Sequence, residues 1–444
     1  MRRLPVLLVL VLVLAACNGD DADATDTEEP AVTPTPTEIV ADPEPTPADD
    51  DGTIPEQPTP TPEQDLTDEE TAEFQALVDQ IVENVVELRG LEMIEELEFA
   101  LMSRAELTEM LEEEVVLEPA EIDLFWLLRL IDDRDIDLEQ VLIDAQAADI
   151  YGFYDPESKE TYVIAEDEEL SALEEVILAH EIVHALQDQH FGLQRLEDLE
   201  PDYDAVLAFR SVVEGDAVLT QELYAQRYLD EDRQAEYMQE AMAATQDPAA
   251  QAALDELPEY FMEQFSFPYV AGAQFVIQMF DGDFDRINDQ LEDPPVTTQQ
   301  IMGASRYLGG ELGAPVEIEL PELHDQLGDD WELYDEGTTG VFDLELLLEL
   351  NGVEDGREPT AGWRGSVFSL YEDGDDALLL LSTEWDSPDS AGAFEAALVQ
   401  TMEGYDESDG VWSGDARFHS VSVQGTNVQL TSSSSEDALR NVTQ

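Results

Sequence analysis

Basic residues are scarce in this sequence. Of its 444 residues only 17 are Lys or Arg, against 107 Asp or Glu, so the formal net charge is −90. A surface this acidic repels a phosphate backbone at long range, and we therefore expect no nucleic-acid partner. The carboxylates are spread along the whole chain rather than gathered in one segment. This distribution indicates adaptation to a salty extracellular medium, because high ionic strength screens the self-repulsion.

Cysteine is almost absent as well, since Cys17 is the only one. A single thiol excludes intrachain disulfides and thiolate metal sites. The residue follows a basic start and an apolar run too short to span a bilayer, which is typical of a signal peptide. The segment Leu14-Ala15-Ala16-Cys17 resembles the bacterial lipobox, in which the chain is cut before the cysteine and its thiol is acylated. We expect residues 1–17 to be signal peptide and lipobox, and the protein to be exported and anchored to the membrane through Cys17, facing the extracellular or periplasmic side.

Large apolar residues are nearly missing between residues 18 and 65, where Asp, Glu, Pro, Thr and Ala dominate. Such a segment cannot bury enough apolar surface to offset the entropy lost on ordering. We predict a disordered acidic Pro/Thr linker over 18–65, which holds the folded part away from the membrane.

Hydrophobic periodicity after residue 65 predicts an α+β protein in three parts. Residues 66–149 show apolar spacings near 3.6 and predict a helical subdomain, with a helix-like stretch at 93–101. Residues 150–324 predict a mainly helical, zincin-like domain with a small β-hairpin at 150–155 and 160–165, followed by a helix from about 168 to 189. Residues 325–444 predict a small α+β domain, with a helix over 331–350 and strands around a second helix at 391–402.

Histidine is also rare, yet two of the five histidines stand in one helical motif, His180-Glu181-Ile182-Val183-His184. Residues four apart on a helix differ by about 40° in azimuth, so both imidazoles point the same way and can hold one metal ion. Glu181 lies about 100° round from His180, beside the metal, where it can take a proton from a metal-activated water. Chance alone would produce this motif about 0.007 times in such a chain. The motif predicts one catalytic Zn²⁺ per chain.

Two residues compete to be the third ligand, since a catalytic zinc needs three protein ligands and one open position. His190 has the spacing of the metzincin motif HExxHxxGxxH, but Gln187 stands where that motif needs a glycine to end the helix. On a continuing helix His190 faces away from His184. Glu214 lies in an apolar helical stretch, where an unpaired carboxylate is costly to bury. A return helix packed antiparallel to the first would bring Glu214 to the histidines, with Gly215 allowing close approach, and we favour this alternative.

A hydrolytic site also needs a donor for the oxyanion of a tetrahedral intermediate. Tyr269 lies two residues before the first residue of the apolar stretch AGAQFVIQMF. We predict that it lies at the entry of a helix and points its hydroxyl into a neighbouring cleft. A purely structural place in the core is the competing interpretation.

Three motifs in this order, HEIVH, VVEGDA and FPYVAG, resemble those of gluzincin metallopeptidases, in particular the aminopeptidase N-like group. The resemblance implies that His180, His184 and Glu214 are zinc ligands, Glu181 the base and Tyr269 the oxyanion donor. Residues 151–321 also resemble uncharacterised bacterial lipoproteins that are classed as metallopeptidases.

The resemblance has a further implication for substrate binding. In zincins the strand before the zinc helix commonly forms a sheet edge that pairs with the substrate backbone. This implies Tyr162, Val163 and Ile164 as substrate-binding residues.

These observations predict a lipid-anchored, extracytoplasmic zinc metallopeptidase that hydrolyses peptide or protein substrates. The alternative is a catalytically inactive, zincin-like surface or scaffold lipoprotein whose C-terminal domain binds a partner. Endo- and exopeptidase cleavage are both compatible with the sequence, and so is a pro-region role for residues 66–149.

Overall fold

The structure is a computed structural model that describes residues 8–11, 68–164, 170–199 and 201–443. Cys17 and the predicted linker at 18–65 lie outside the described residues, so lipidation and disorder there stay predictions. Within the described ranges, no helix is both long and apolar enough to cross a membrane. The α+β class is confirmed.

The first part of the chain is mainly helical. Its elements are β1 (Leu8–Val11), α1 (Asp68–Arg89), β2 (Glu98–Met102), α2 (Arg104–Glu114), α3 (Pro119–Leu127), α4 (Leu138–Asp149), β3 (Ile150–Asp155), β4 (Glu160–Ile164), α5 (Ala172–Phe191), α6 (Arg195–Asp198), α7 (Tyr203–Tyr228), α8 (Glu231–Ala244), α9 (Pro248–Glu256), α10 (Glu259–Ile277), α11 (Asp285–Glu292), α12 (Thr298–Met302), α13 (Ala304–Leu308) and α14 (His324–Leu327).

The second part is mainly sheet. Its elements are β5 (Glu332–Thr338), α15 (Val341–Glu349), α16 (Arg357–Thr360), β6 (Trp363–Asp373), β7 (Asp376–Trp385), α17 (Pro388–Thr401), β8 (Asp406–Ser408), β9 (Val411–Gly414), β10 (Arg417–Gln424), β11 (Asn427–Ser433) and α18 (Glu436–Thr443).

The small sheet of the first part has the strand order β1-β3-β4-β2. β3 and β4 form the predicted hairpin, with Phe153 opposite Tyr162. On its other side β4 pairs in parallel with β2, where Ala100 lies opposite Tyr162. Tyr162, Val163 and Ile164 therefore lie on an interior strand, and the prediction that they form a substrate-pairing edge is wrong, because β3 and β2 already use their backbone groups. The outer neighbour of β3 is β1, which comes from the predicted signal peptide.

The predicted boundary at 149/150 does not separate two packing units. The stretch at 93–101, for which periodicity predicts a helix, supplies most of β2, because tertiary pairing with β4 overrides the local pattern. Val78, Ile81 and Val85 of α1 share one hydrophobic core with Ile182 and Val183 of α5. Residues 68–149 are thus part of the same fold as α5, which argues against their removal as a pro-region.

The helices α5 and α7 pack antiparallel, as the sequence predicts. Near the end of α5, Gln187 donates to the carbonyl oxygen of Val213 at 2.9 Å. Near its start, Glu175 accepts a hydrogen bond from the hydroxyl of Tyr224 at 2.9 Å. Contacts therefore run in opposite chain directions along the two helices.

The closest approach made by Gly215 is to α10 rather than to α5. A Cβ atom at Gly215 would lie 2.3 Å from the carbonyl oxygen of Gly272, and one at Gly272 would lie 2.1 Å from that of Ser211. Only residues without a side chain fit at this crossing. The two glycines let α10 lie directly against α7.

The large sheet of the second part has the strand order β5-β6-β7-β11-β10-β9-β8. The predicted strands appear as β6, β7, β10 and β11, and the predicted helix at 391–402 as α17. The prediction of a single helix over 331–350 is wrong, because β5 pairs antiparallel with β6 before α15 begins at Val341. Pairing with a long neighbouring strand is again the tertiary contact that local periodicity does not report.

Candidate metal centre

The helix α5 carries the histidine motif into the interior. It begins at a capping box, in which Ser171 Oγ accepts from the backbone N–H of Glu174 and the Glu174 carboxylate accepts from that of Ser171. Its middle is enclosed on all sides, and His180, Glu181 and His184 are each 0% exposed. These polar side chains are therefore placed where each needs a partner.

The structure brings the three predicted ligands together. Nε2 of His180 and Nε2 of His184 each lie 3.3 Å from Glu214 Oε2, and they lie 3.0 Å from one another. Glu214 is 0% exposed. A tetrahedral ion with bonds of about 2.0–2.1 Å holds its ligand atoms about 3.3 Å apart. The triangle of ligand atoms has the size that such an ion needs.

The charges of this triangle also fit a cation. Burial alone would lower the pKa of His184, but the charge of Glu214 and its hydrogen bond raise it to about 9. Burial alone would raise the pKa of Glu214, but His184 and His180 lower it to about 2. A proton on His184 thus balances the carboxylate, and a divalent ion at the same point would do so while using all three ligand atoms. Two imidazoles and a carboxylate suit Zn²⁺ and other first-row divalent ions.

Glu181 lies beside the triangle, on the side of β3. A Cβ atom at Gly152 of β3 would lie 3.3 Å from Glu181 Cγ. Neither carboxylate oxygen has a hydrogen-bond partner of normal geometry among the described residues. Burial raises the pKa of Glu181 to about 8, and the charge of His184 offsets only part of that effect. A carboxyl group in such surroundings is suited to exchange a proton near neutral pH.

Tyr269 lies close to His180. Its ring centroid is 6.5 Å from that of His180, and the residue is 5% exposed. The prediction that it stands at a helix entry is wrong, because α10 begins at Glu259 and continues through Pro268. A proline inside a helix removes one backbone donor and bends the helix without ending it.

His190 does not take part in the site. The helix α5 continues unbroken to Phe191 and ends at Gly192, whose φ is 73°. His190 is exposed, and its Nε2 lies 2.8 Å from the backbone oxygen of Glu92. The third-ligand alternative at His190 is wrong because the missing glycine leaves the helix intact.

Sequence reasoning misses the polar residues behind the histidines. Gln187 Oε1 lies 2.9 Å from His184 Nδ1, and Gln221 Oε1 lies 2.9 Å from His180 Nδ1. A signal for Gln187 exists, since it follows His184 by three residues on the same helical face. The metzincin motif has a glycine at this position, so comparison with that motif reports Gln187 only as a mismatch.

A buried ion pair connects the polar residues behind the histidines to α1. Arg89 Nε lies 2.9 Å from Asp216 Oδ1, and both side chains are 0% exposed. The other oxygen of Asp216 accepts from Gln187 Nε2 at 2.8 Å. Because 127 residues separate Arg89 from Asp216, no local pattern in the sequence points to this contact.

The helix α8 covers the site next to α10. Ala241 of α8 packs with Tyr269 and with Ile177 of α5. Arg233 of α8 holds Glu175 at 2.7 Å. Ala241 is the one buried residue of α8, and the fully described α9 has none. The helix α8 therefore covers the site with little buried apolar surface of its own.

Residues 331–443 match the model of a family described as a domain of unknown function, DUF8575. The match begins just before β5 and covers the second sheet, so the candidate metal centre lies outside it. Comparisons with curated proteins and with solved structures gave no match.

Proposed function

We propose that this protein is an exported, lipid-anchored, zinc-dependent metallopeptidase. The observation that carries the proposal is the buried triangle of His180, His184 and Glu214, with Glu181 beside it. Those three side chains would hold the ion. The single lipobox cysteine, Cys17, is the proposed anchor.

The chain supplies both proton transfers and charge stabilisation. When bound, a divalent ion provides Lewis acidity, which polarises a carbonyl group and lowers the pKa of a water molecule. Glu181 accepts the proton of the attacking water and passes it to the amine that leaves. Burial raises the pKa of Glu181 to about 8, which makes its carboxylate a stronger base for the first of these transfers. The hydroxyl of Tyr269 donates a hydrogen bond to the developing oxyanion.

The strand β3, rather than β4, is the surface on which we propose that the substrate binds. Gly152 places β3 against Glu181, with room for no side chain between them. In a chain that begins at Cys17, β1 is absent, and the backbone groups of β3 that pair with β1 are left without a neighbouring strand. An extended peptide can add to such an edge as a further strand. Its scissile bond would then pass beside Glu181.

Glu181→Gln tests the proposal most directly. We expect peptide hydrolysis to fall by about 10²–10⁴-fold, the usual worth of a general base, while elemental analysis still finds one ion per chain. Glu345→Gln is the matched control, since Glu345 is also a buried glutamate but lies in α15.

Two results would contradict the proposal. One is equal hydrolysis by wild type and Glu181→Gln. The other is a purified wild type without stoichiometric metal. A wild type that binds metal but cleaves no peptide in a diverse library would support the scaffold alternative instead.

A further inference from the structure

We propose that Gln187 and Gln221 are positioning residues that hold His184 and His180 in one tautomer, with the proton on Nδ1 and the Nε2 lone pair facing the metal. The inference rests on the proposed metal centre and deepens it. It concerns the atoms behind the ligands, which decide whether a histidine can bind a cation at all.

The orientation of the Gln187 amide is fixed by its own donors. Its Nε2 donates to the carbonyl oxygen of Val213 at 2.9 Å and to Asp216 Oδ2 at 2.8 Å. Both partners are acceptors, so a flipped amide would place oxygen against oxygen twice. The amide oxygen must therefore face His184 Nδ1, which lies 2.9 Å away. Since that oxygen only accepts, His184 Nδ1 must carry the proton.

Asp216 is itself held in place. Arg89 Nε donates to both of its oxygens, at 2.9 and 3.1 Å. The same guanidinium donates to Asn288 Oδ1 at 2.6 Å and lies over the ring of Phe284, 4.4 Å from its centroid. The tautomer of His184 is thus set by a buried chain of contacts that joins α1, α5 and α7.

Gln221 does the same for His180 from α7. Its Oε1 lies 2.9 Å from His180 Nδ1, and its Nε2 donates to the hydroxyl of Tyr237 at 3.2 Å. That hydroxyl donates in turn to Glu222 Oε1 at 3.4 Å, which leaves its lone pair for Gln221. His180 Nδ1 therefore also carries a proton.

The two glutamines have one shared consequence. With both protons on Nδ1, the two Nε2 lone pairs face each other across 3.0 Å, next to Glu214 Oε2. This arrangement is repulsive until a cation or an added proton occupies the centre. A neutral amide, unlike a carboxylate, orients the imidazole without adding a negative charge behind it.

The experiment measures Zn²⁺ affinity by chelator competition for Gln187→Leu and Gln221→Leu in the full chain. Leucine keeps the bulk and removes the acceptor, so we expect affinity to fall about 10- to 100-fold in each variant. Gln221 is only partly buried, so its variant remains informative if Gln187→Leu does not fold.

Two further variants separate orientation from general stability. Gln300→Leu removes a glutamine that is 3% exposed and bonded to the backbone at Gly313 and Val296, with no histidine contact. It should lower stability and leave Zn²⁺ affinity unchanged. Gln221→Glu restores an acceptor for His180 Nδ1 and should bind Zn²⁺ at least as tightly as wild type.

The tautomers are read out by ¹⁵N NMR of the histidine rings in the Zn²⁺-loaded protein. We expect protonated Nδ1 on both His180 and His184 in wild type, and altered Nδ1 signals in the leucine variants. Unchanged affinity in both leucine variants, or an equal loss in Gln300→Leu, overturns the inference. A wild type that binds no Zn²⁺ at all refutes the proposed function instead, so the two failures are distinguishable.

Discussion

Both parts of the molecule bury histidine completely, but the surroundings differ. In the helical part, His180 and His184 direct Nε2 at a shared carboxylate oxygen. In the second sheet, His419 is also 0% exposed, but its Nδ1 lies 2.8 Å from Ser432 Oγ and its Nε2 has no hydrogen-bond partner within the described part of the chain.

The electrostatic surroundings differ as much as the geometry. Burial, together with the charges of Arg129 and Arg417, holds the pKa of His419 well below its usual range. The carboxylate of Glu214 instead raises the pKa of His184 to about 9, against the effect of burial. Burial of histidine is thus common to both regions. Convergence on a buried carboxylate is what makes one of them a candidate metal site.

The substitution His184→Ala should have the largest effect and should distinguish the two buried histidine environments. It removes one of three ligands, so we expect bound metal to fall from about one ion per chain to nearly none. His419→Ala, which is equally buried, should cost stability and leave metal content unchanged. Elemental analysis after gel filtration decides the matter, and equal metal loss in both variants would contradict our assignment.

The substitution Gly215→Ala should have the next largest effect, a loss of folding stability. The new Cβ would lie 2.3 Å from the Gly272 oxygen, so α7 and α10 must move apart, at a cost of about 1–3 kcal/mol. Gly392→Ala in α17 is the control, since its Cβ meets nothing within 4 Å and alanine favours a helix by about 0.5–1 kcal/mol. Denaturant midpoints measure both. A neutral Gly215→Ala would show that the crossing is looser than described.

Salt tests the surface charges rather than the buried ones. With 107 acidic and 17 basic residues, self-repulsion should weaken folding in dilute buffer. The screening length falls from about 30 Å at 0.01 M to about 3 Å at 1 M, so the melting temperature should rise over that range. Equal thermal stability at both concentrations would leave the acidity unexplained.

Asp204→Asn tests a single buried carboxyl group at the junction of the two parts, where the backbone N–H of Asp204 donates to Thr338 Oγ1. Asp204 accepts from the N–H and the hydroxyl of Thr298, but burial outweighs these bonds and raises its pKa from 3.8 to about 7. At pH values between 3.8 and about 7, the Asp204 carboxyl group is protonated in the folded protein and ionised in the unfolded chain. The contribution of Asp204 to the free energy of unfolding therefore decreases as pH rises from about 4 to about 7.

The asparagine variant should lose that part of the pH dependence, as measured by unfolding midpoints at several pH values. Asp281→Asn, an exposed substitution, is the control and should leave the slope as it is. An unchanged slope in Asp204→Asn would mean that the carboxyl group is ionised in the folded protein.

The sequence predicts those features of the site that depend on helical geometry. His180 and His184 share a face because of their spacing, and Glu214 on an apolar return helix needs a partner wherever it is buried. The predicted close approach at Gly215 exists, but it is made to α10 rather than to α5.

The remaining features depend on contacts between distant segments. The interior position of Tyr162 depends on β2, which local periodicity predicts as a helix. The mid-helix position of Tyr269 depends on α10 tolerating Pro268. Arg89 and Gln221 become visible only when α1, α5 and α7 are assembled. These are tertiary effects, in which packing overrides local propensity.

The contact between Arg89 and Asp216 also bears on when a metal would enter the candidate site. During synthesis from the N-terminus, His180 and His184 emerge before Asp216. Asn288, the other partner of Arg89, lies 199 residues after Arg89 and emerges later still. Closing loops of this length is a late event in folding. The metal should therefore be loaded after nearly the whole first part has emerged, and it would come from the compartment in which the chain completes its folding.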